Sequence, residues 1–466
     1  METSRTRYEW LRKMDATADL VGGVLSTGAT SPDQLDFPAL LSQVPEYHAS
    51  LVPQIWPDVL AAAMKPKNSG AVRTCVHAVQ KYLNDIFQKM DEGKPVVYHY
   101  FLMTPEIFLG MDMAPICYEI FPALLCALFQ KGVEEEIDFI EEKGFPGHLC
   151  SAQKSANGAF ELGRMPLPTV MVKHGTPCDP SNMMYQYVME KFKVPMLVVD
   201  SPYYTNQRAF RYYLDEWKRM IEQLQKITGH TLDEDRLRKH VQWGNKQLEH
   251  LYALQMLRRA VPNPDPGMHR PLDTAALFLC GTVPEMIDYV KTCRDEAQAR
   301  HDQGKSFLPE GRKEVRTLWS WAWTGHYLSM YDWLEEEFGM TYLECGLTML
   351  PGDVVGFVNT SSVESMIEGL AWRSFNMPMA RQVFSFSDIW INDFVGVAKS
   401  YHADAAVFSG HMACKHAWAL NKLLSDALQE QAGIPSFRWE VDIIDKRFTP
   451  HEAAKTMLTE FFSTLT

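Results

Sequence analysis

The sequence predicts an α/β protein with two doubly wound, Rossmann- or flavodoxin-like parallel-sheet domains and a helical middle segment. Short apolar runs alternate with helical periodicity twice along the chain, in residues 93–206 and again in 311–466. This β-α-β rhythm is typical of a parallel sheet covered by helices on both faces. Residues 1–92 and 207–310 carry only the apolar spacing of helices. A chain of 466 residues is also too long for one ordinary core, which favours several domains.

In the first half, residues 50–92 have helical spacing, which Lys94 and Pro95 end. Thr104 and Pro105 form a helix start, with an N-cap followed by proline at the first helical position. The apolar runs predict strands, and the segment between the last two predicts a helix. The strands are expected at 96–101, 114–119, 169–173 and 194–199, and the helix at 181–193. We place the boundary of this domain near residues 200–207.

Residues 207–257 are predicted to be almost wholly helical, with Gly229 and Asp233 interrupting the pattern. After the proline-rich loop at 262–267, helices continue to about residue 301. The strand and helix alternation then restarts. Strands are expected at 317–323, 341–345, 405–408 and 436–441, and helices at 331–338, 362–373, 379–400, 415–431 and 450–462.

Composition excludes several classes of protein. The net charge of −13 disfavours nucleic-acid binding, which needs a basic surface. No run of 18 apolar residues predicts a membrane span, and residues 1–8 do not resemble a signal peptide. Nine cysteines, an odd number, favour reduced thiols over a disulfide framework. The expected location is therefore the cytoplasm.

Common nucleotide and zinc motifs are absent from the sequence. There is neither a G-x-G-x-x-G opening a helix nor a G-x-x-x-x-G-K-[ST], so the chain is not expected to bind a nucleotide itself. There is no C-x-x-C pair, which argues against structural zinc ribbons. The chemistry of the chain must therefore be sought in scattered residues.

Three cysteines each follow an apolar, β-like run: Cys150, Cys178 and Cys414. Ligands of open α/β sheets bind outside the carboxyl ends of the strands, so we expect these thiols to meet at one point. Thiolates select zinc, copper(I) or iron–sulfur clusters, and three protein ligands leave one metal position open for chemistry. Taken singly, any of them could instead be a buried core residue.

Two further residues are candidates for catalysis at the same crevice. Tyr203 lies in the segment 200–204 after a predicted strand, and His411 follows the strand at 405–408. Either side chain could position a substrate or handle a proton there. The alternatives are a core tyrosine with a satisfied hydroxyl and a structural turn histidine.

Several short segments, in this order and spacing, carry a resemblance to a known family. They are Thr104-Pro105-Glu106 with Ala114-Pro115, Cys150 to Lys154, Cys178-Asp179, Asp200-Ser201-Pro202-Tyr203, Gly369 to Arg373, and the tail from Cys414 through Gly433-Ile434-Pro435 to Arg447. Over roughly residues 90–466 the chain resembles subunits of the 2-hydroxyacyl-CoA dehydratase and benzoyl-CoA reductase family.

The resemblance implies a [4Fe–4S] cluster held by Cys150, Cys178 and Cys414. It further implies a homologous second subunit, a separate ATP-hydrolysing iron–sulfur activator protein that delivers one electron, and an acyl-CoA thioester substrate. In the dehydratases of the family, the electron makes a ketyl radical from the thioester carbonyl, and the 2-hydroxyl group then leaves. An open iron suits this chemistry, because it can bind a substrate oxygen as a Lewis acid.

The sequence departs from the family pattern in two places. Many members carry a cysteine on the first strand–helix turn, where residues 101–105 offer none, although Cys117 one element later could reach the site. The aromatic stretch 319–326 replaces a turn rich in glycine and proline, and suits either an aryl group or plain core. A subunit of an ATP-dependent benzoyl-CoA (aryl-CoA) reductase and a non-catalytic structural partner subunit therefore remain alternatives to the dehydratase.

Overall fold

The structure is a computed structural model that describes residues 3–321, 324, 328–350, 356–385 and 387–466. It contains two four-stranded sheets, and every strand pair in them is parallel. The strands are β1 (Val96–His99), β2 (Ala114–Cys117), β3 (Val170–His174), β4 (Met196–Val199), β5 (Val315–Trp319), β6 (Met340–Cys345), β7 (Ala405–His411) and β8 (Ser436–Val441). The predicted α/β fold with two parallel sheets is confirmed.

The two sheets have the same topology. Their strand orders are β2-β1-β3-β4 and β6-β5-β7-β8, so the first strand of each half lies in the interior and the chain reverses direction across the sheet beside it. Ligands of such sheets bind at this switch point, outside the carboxyl ends of the strands. Strands β1, β3, β5 and β7 are buried along their whole length, which explains why apolar residues predominate in them.

Helices surround both sheets. They are α1 (Ser4–Arg7), α2 (Glu9–Ser26), α3 (Phe37–Leu41), α4 (Glu46–Leu51), α5 (Pro57–Met64), α6 (Pro66–Asp91), α7 (Glu106–Gly110), α8 (Ile120–Leu128), α9 (Glu134–Glu142), α10 (Ser151–Glu161), α11 (Asp179–Phe192), α12 (Gln207–Thr228), α13 (Glu234–Leu257), α14 (His269–Phe278), α15 (Glu285–Asp302), α16 (Leu328–Phe338), α17 (Val363–Phe375), α18 (Asp388–Ser400), α19 (Lys415–Ala427) and α20 (His451–Phe462). None of these described helices has the length and apolarity that crossing a membrane requires.

Several boundaries differ from the sequence prediction. The helix expected at 379–400 begins only at Asp388, because Arg381–Val383 forms a short 3-10 turn. Strand β5 ends at Trp319 rather than at residue 323, and residues 322 and 323 lie outside the described residues. Between β2 and β3 the sequence predicts only a β-like run before Cys150, whereas the structure has α8, α9 and α10 there.

The predicted interruption of the long middle helix is confirmed. Gly229 ends α12 with a positive φ of 73°, a left-handed conformation that glycine adopts without strain. Asp233 then caps α13, and its side chain accepts a hydrogen bond from the backbone N–H of Arg236. Helix α13 packs on α15, and α15 packs on α6, so the amino-terminal and middle helices share one layer.

The largest core cluster joins parts of the chain that are distant in sequence. It contains residues of the first sheet, the amino-terminal helices and the middle helices, and also Met366 and Leu370 of α17. Helix α17 packs against α12 and α13, although it follows the second sheet's β6 in the chain. The packing of α17 on helices of the first half fixes the two sheets relative to each other, and a cavity lies between the two halves.

Candidate active site

Cys150, Cys178, Cys414 and His411 line one cavity between the two halves of the protein. The cavity contains about 1250 Å³ of space free of protein atoms, measured out to its open mouth. Cys150 and Cys178 come from the half that contains the first sheet, and the other two residues come from the half that contains the second. The structure therefore brings together the three thiols that the sequence singled out. They are distant in sequence, and they meet because the two halves of the protein pack against each other.

Each of the three cysteines caps the amino terminus of a helix. Cys150 precedes α10, Cys178 precedes α11 and Cys414 precedes α19. Two of them follow strands as predicted, since Cys178 comes after β3 and Cys414 after β7. The expectation of a strand before Cys150 is wrong, because this residue follows helix α9 and a turn. Only its position at the start of α10 places the thiol of Cys150 at the site.

Burial raises the pKa of all three thiols, and the helix starts oppose this effect. Backbone N–H groups of the first turn interact with each thiol and act to lower its pKa: those of Ala152 and Gln153 on Cys150, Ser181 on Cys178, and His416 and Ala417 on Cys414. The positive end of each helix dipole adds to this effect. Three such helix ends around one cavity suit a group that is ligated by thiolates and carries negative charge.

The three thiols also affect one another's pKa. Burial raises the pKa of all three, and the proximity of Cys178 raises the pKa of Cys150 and Cys414 further. Tyr100, at the cavity wall, has its pKa raised by burial and then by all three cysteines. Its hydroxyl is buried and has no hydrogen-bond partner among the described residues, so a polar group is available beneath the thiols.

Among the described residues, no three His, Cys, Asp or Glu side chains are arranged to hold one metal ion between them. The three thiols share the cavity, and each belongs to a different helix start.

The other six cysteines differ from these three in their exposure. Cys150, Cys178 and Cys414 are partly exposed, whereas Cys75, Cys117, Cys126, Cys280, Cys293 and Cys345 are buried. Cys117 ends β2, is fully shielded from solvent and does not line the cavity. Its Sγ lies 4.0 Å from Oε2 of Glu119, so its closest link to the site is through that carboxyl group.

Glu119 is a site residue that the sequence analysis did not select. It follows β2 and lines the cavity, and burial raises its pKa to about 7 against several stabilising hydrogen bonds. Gln153 donates a 2.8 Å hydrogen bond from Nε2 to Oε1, and the hydroxyl of Tyr185 lies 3.4 Å from the same oxygen. A carboxyl group that titrates near neutrality is suited to proton transfer. The available signal was its position at the end of a predicted strand, the rule that selected Tyr203.

His411 is the last residue of β7, and its side chain is held in one orientation. The backbone N–H of Ile443 donates to Nδ1 at 3.3 Å, and Oδ1 of Asp442 lies 3.6 Å from the same nitrogen. Burial lowers the pKa of His411, so the ring is favoured in its neutral form. With Nδ1 accepting, the proton is on Nε2, which is buried and has no partner among the described residues. A free N–H donor therefore remains at the cavity.

Tyr203 does not lie among the residues that line this cavity. It follows β4, and 45% of its surface is exposed, as is 67% of the surface of Tyr204. In the same segment, Asp200 accepts a hydrogen bond from the hydroxyl of Tyr212 at 2.8 Å. Tyr203 and Tyr204 therefore face solvent, whereas Ser201 of the same segment is buried.

Apolar side chains make up most of the remaining wall. Trp321 stacks on Trp390 with ring centroids 4.8 Å apart and an angle of 25° between the planes. Phe101 and Phe278 form a second pair at 5.3 Å on another part of the wall. In the predicted aromatic stretch, Trp319 is core and Trp321 lines the cavity, whereas residues 322, 323, 325 and 326 lie outside the described residues.

A comparison with known protein families matches the part of the chain that contains this site. Residues 101–465 match the family described as 2-hydroxyglutaryl-CoA dehydratase, D-component. This match covers every strand except β1, the three cavity cysteines and α17. No curated protein matches the chain.

Proposed function

Because the chain belongs to the 2-hydroxyglutaryl-CoA dehydratase D-component family, we propose that it is the iron–sulfur subunit of a radical 2-hydroxyacyl-CoA dehydratase. One observation carries the proposal: the three partly exposed cysteines of the chain cap three helices around a single cavity. The six remaining cysteines are buried in the protein. Such a separation is expected when three thiols serve a cofactor and the others serve packing.

Cys150, Cys178 and Cys414 would hold a [4Fe–4S] cluster through three of its irons. When bound, the cluster would supply one-electron chemistry and one iron that is free to act as a Lewis acid. The protein side of the site is suited to this, because the helix starts favour negative charge and the apolar wall keeps water away.

Two side chains of the cavity have roles in handling the substrate. Nε2–H of His411 has no hydrogen-bond partner among the described residues and can donate to the oxygen of a thioester carbonyl. Glu119, whose pKa of about 7 allows it to be ionised or protonated near neutrality, can accept a proton from the substrate and return it to solvent. We assign His411 the role of orienting the thioester and Glu119 the role of the base.

We propose that the chain works with two partner proteins. It lacks a nucleotide-binding motif, so an ATP-hydrolysing iron–sulfur activator would supply the electron. A homologous second subunit would complete the enzyme. Both proposals extend the family resemblance, and co-purification from the natural source is their direct test.

A second candidate function is an ATP-dependent aryl-CoA reductase. The stacked pair Trp321 and Trp390 favours this alternative, since a flat aromatic wall at the cavity accommodates an aryl ring. The two reactions use the same cluster and the same electron supply. They differ in whether the acyl group must carry a 2-hydroxyl.

The decisive experiment starts from protein purified without oxygen together with its homologous subunit. Iron and sulfide should be present at about four of each per chain, as a cubane requires. Changing Cys150, Cys178 or Cys414 to Ala should each lower the iron content sharply, whereas Cys126→Ala and Cys280→Ala, at buried positions, should not. Normal iron in all three site variants would reject the assignment, and absence of iron from the wild type would favour a structural subunit.

Turnover then separates the two reactions. The complex is supplied with reduced activator, ATP and either a 2-hydroxyacyl-CoA or benzoyl-CoA. Formation of a 2-enoyl-CoA from the first thioester supports the dehydratase. Reduction of the second without dehydration of the first supports the reductase instead.

A further inference from the structure

We propose that this enzyme takes a thioester with a bulky, uncharged, apolar acyl side chain and rejects the distal carboxylate of a 2-hydroxyglutaryl group. The inference rests on the proposed function and names the substrate class of that site. It is carried by the composition and charge of the cavity wall. It also departs from the substrate in the family's description, and so concerns this chain in particular.

The wall next to the thiols is apolar and built from several elements. Ile120 and Leu124 of α8, Ala275 and Phe278 of α14, and Ile443 after β8 all line the cavity. Two aromatic pairs complete this wall: Phe101 with Phe278, and Trp321 with Trp390. An acyl side chain that enters beside the thiols must therefore exchange water for hydrocarbon and aromatic surface, which favours an apolar group.

No guanidinium lines the cavity among the residues that the structure describes. Carboxylates are usually recognised by arginine, whose planar fork donates two parallel hydrogen bonds. The one lysine in the described lining, Lys415, has 66% of its side chain exposed and lies 3.7 Å from Oδ2 of Asp179. It is placed at the mouth, where the polar part of a CoA ester would pass, and not in the apolar interior.

The other Asp, Glu, Gln, Thr and His residues of the described lining include no permanent cation, so they do not favour a second carboxylate: they are Glu119, Gln153, Asp179, Thr274, His411 and His416. Glu119 is itself a carboxyl group, and its Oε1 already accepts from Gln153. The free donor of His411 is one N–H, and the thioester carbonyl competes for it. A carboxylate moved into such a wall without a cationic partner loses its hydration and gains no equivalent hydrogen bonds.

Binding of thioesters that lack the 2-hydroxyl tests the inference without turnover. Equilibrium dialysis is carried out on the complex with its homologous subunit, using 3-phenylpropanoyl-CoA, pentanoyl-CoA and glutaryl-CoA. The last two have acyl chains of equal length and differ in the distal carboxylate. We expect glutaryl-CoA to bind at least about a hundredfold more weakly than pentanoyl-CoA, with 3-phenylpropanoyl-CoA the tightest. Binding of glutaryl-CoA within tenfold of pentanoyl-CoA overturns the inference.

A cation placed in the wall should reverse the preference. Leu124 lines the cavity and is partly buried, so Leu124→Arg introduces a guanidinium at the acyl side chain. This variant should bind glutaryl-CoA more tightly than the wild type and pentanoyl-CoA more weakly. Leu128→Arg is the matched control, because Leu128 is also partly buried, one turn along α8, but does not line the cavity. The comparison of ligands on the wild type stands even where a variant fails to fold.

Turnover distinguishes failure of the inference from failure of the proposed function. Equal dehydration of 2-hydroxyglutaryl-CoA and 2-hydroxy-3-phenylpropanoyl-CoA would leave the dehydratase in place and reject the apolar substrate class. No dehydration of any 2-hydroxyacyl-CoA by the iron-loaded complex with activator and ATP would reject the dehydratase. A preference for 2-hydroxy-3-phenylpropanoyl-CoA by at least about a hundredfold in kcat/KM supports both.

Discussion

Arg373 donates a hydrogen bond from Nη1 to Oε1 of Glu106 at 2.7 Å, although both side chains are almost completely shielded from solvent. Glu106 begins α7 in the first half of the chain, and Arg373 lies on α17, after β6. Their side chains also approach Gly244 of α13, where an added Cβ would lie 2.5 Å from Oε1 of Glu106 and 3.2 Å from Nη1 of Arg373. This ion pair therefore fixes the helix that crosses between the two halves around the cavity.

Breaking the pair from one side should destabilise the protein strongly. Arg373→Met leaves the carboxyl group of Glu106 buried without its cation, and such a loss typically costs about 3–5 kcal/mol in the free energy of unfolding. Replacing both residues, Glu106→Leu with Arg373→Met, should recover much of this loss, because no buried charge remains. Urea unfolding of the three variants measures the difference.

The matched control is the exposed ion pair between Arg447 and Asp138, at 2.9 Å. Asp138→Asn removes only this pair, because Arg447 also binds Asp445, and it should cost less than about 1 kcal/mol, as surface pairs usually do. Equal losses at the buried and exposed pairs would contradict the proposed role of Glu106 and Arg373 in joining the halves.

The sequence predicted the sheets well because their strands are buried on both faces. In β3 the apolar residues Val170, Met171 and Val172 are consecutive, so the local pattern already reflects a strand that is buried on both faces. The same holds for Cys178 and Cys414, whose positions follow from the ends of β3 and β7. Local pattern and tertiary placement agree at these points.

The rest of the site depends on contacts that no local pattern records. Glu119 owes its raised pKa to burial between elements that are distant in sequence, and Gln153 and Tyr185 reach it from α10 and α11. Tyr203 was selected by the same strand-end rule, yet β4 is an edge strand and the side chain of Tyr203 is exposed. The strand-end rule shows at which edge of the sheet a residue lies. It does not show whether the side chain points toward the other half of the protein.

Replacing the Glu119 carboxyl should remove the base from the proposed reaction. If Glu119 accepts a proton, it must be ionised, so wild-type turnover should rise with pH through about 7, following its pKa. Glu119→Gln should lower kcat by about a hundredfold or more and abolish this rise. Steady-state rates between pH 6 and 8.5 measure both effects.

Two measurements make the Glu119 result interpretable. Iron content should stay normal in Glu119→Gln, because the residue is not among the proposed ligands. Glu142→Gln, an exposed carboxyl replacement on α9, should keep the wild-type rate and pH profile. An unchanged pH profile in Glu119→Gln would exclude this residue as the base.

Substitution of His411 separates donation of a hydrogen bond from transfer of a proton. His411→Phe removes Nε2–H and should lower turnover by about a hundredfold or more. His411→Gln offers an amide N–H near the position of Nε2, so it should retain more activity if the residue only orients the thioester. Equal losses in both variants, with iron intact, would instead indicate that His411 transfers a proton.

Tyr203→Phe is the informative comparison for His411. The sequence selected both residues, but only His411 lines the cavity, so we expect Tyr203→Phe to turn over at the wild-type rate. A loss of about a hundredfold in this variant would show that the substrate or the second subunit extends the site to the segment after β4. The rates are compared at saturating and at low thioester, which separates kcat from KM.

Three buried histidines should make the protein sensitive to acid. Burial lowers the pKa of His99, His174 and His240 to about 4, against 6.5 for an unperturbed histidine. A lowered pKa means that the folded state binds fewer protons than the unfolded state below pH 6.5. The stability due to the neutral rings is therefore fully present above about pH 6.5 and is lost as the pH falls toward 4, at about 1.4 kcal/mol per pH unit for each ring.

His240→Asn tests this dependence without removing the local hydrogen bond. Nδ1 of His240 lies 2.6 Å from the carbonyl oxygen of Gly281, and the side-chain amide of asparagine can donate from nearly the same position without titrating. Urea unfolding at pH 7.5, 6.0 and 5.0 should give a smaller loss of stability with acid in this variant than in the wild type. His301→Asn, at an exposed position on α15, should leave the wild-type slope unchanged. An identical slope in His240→Asn and the wild type would mean that this ring is not kept neutral by burial.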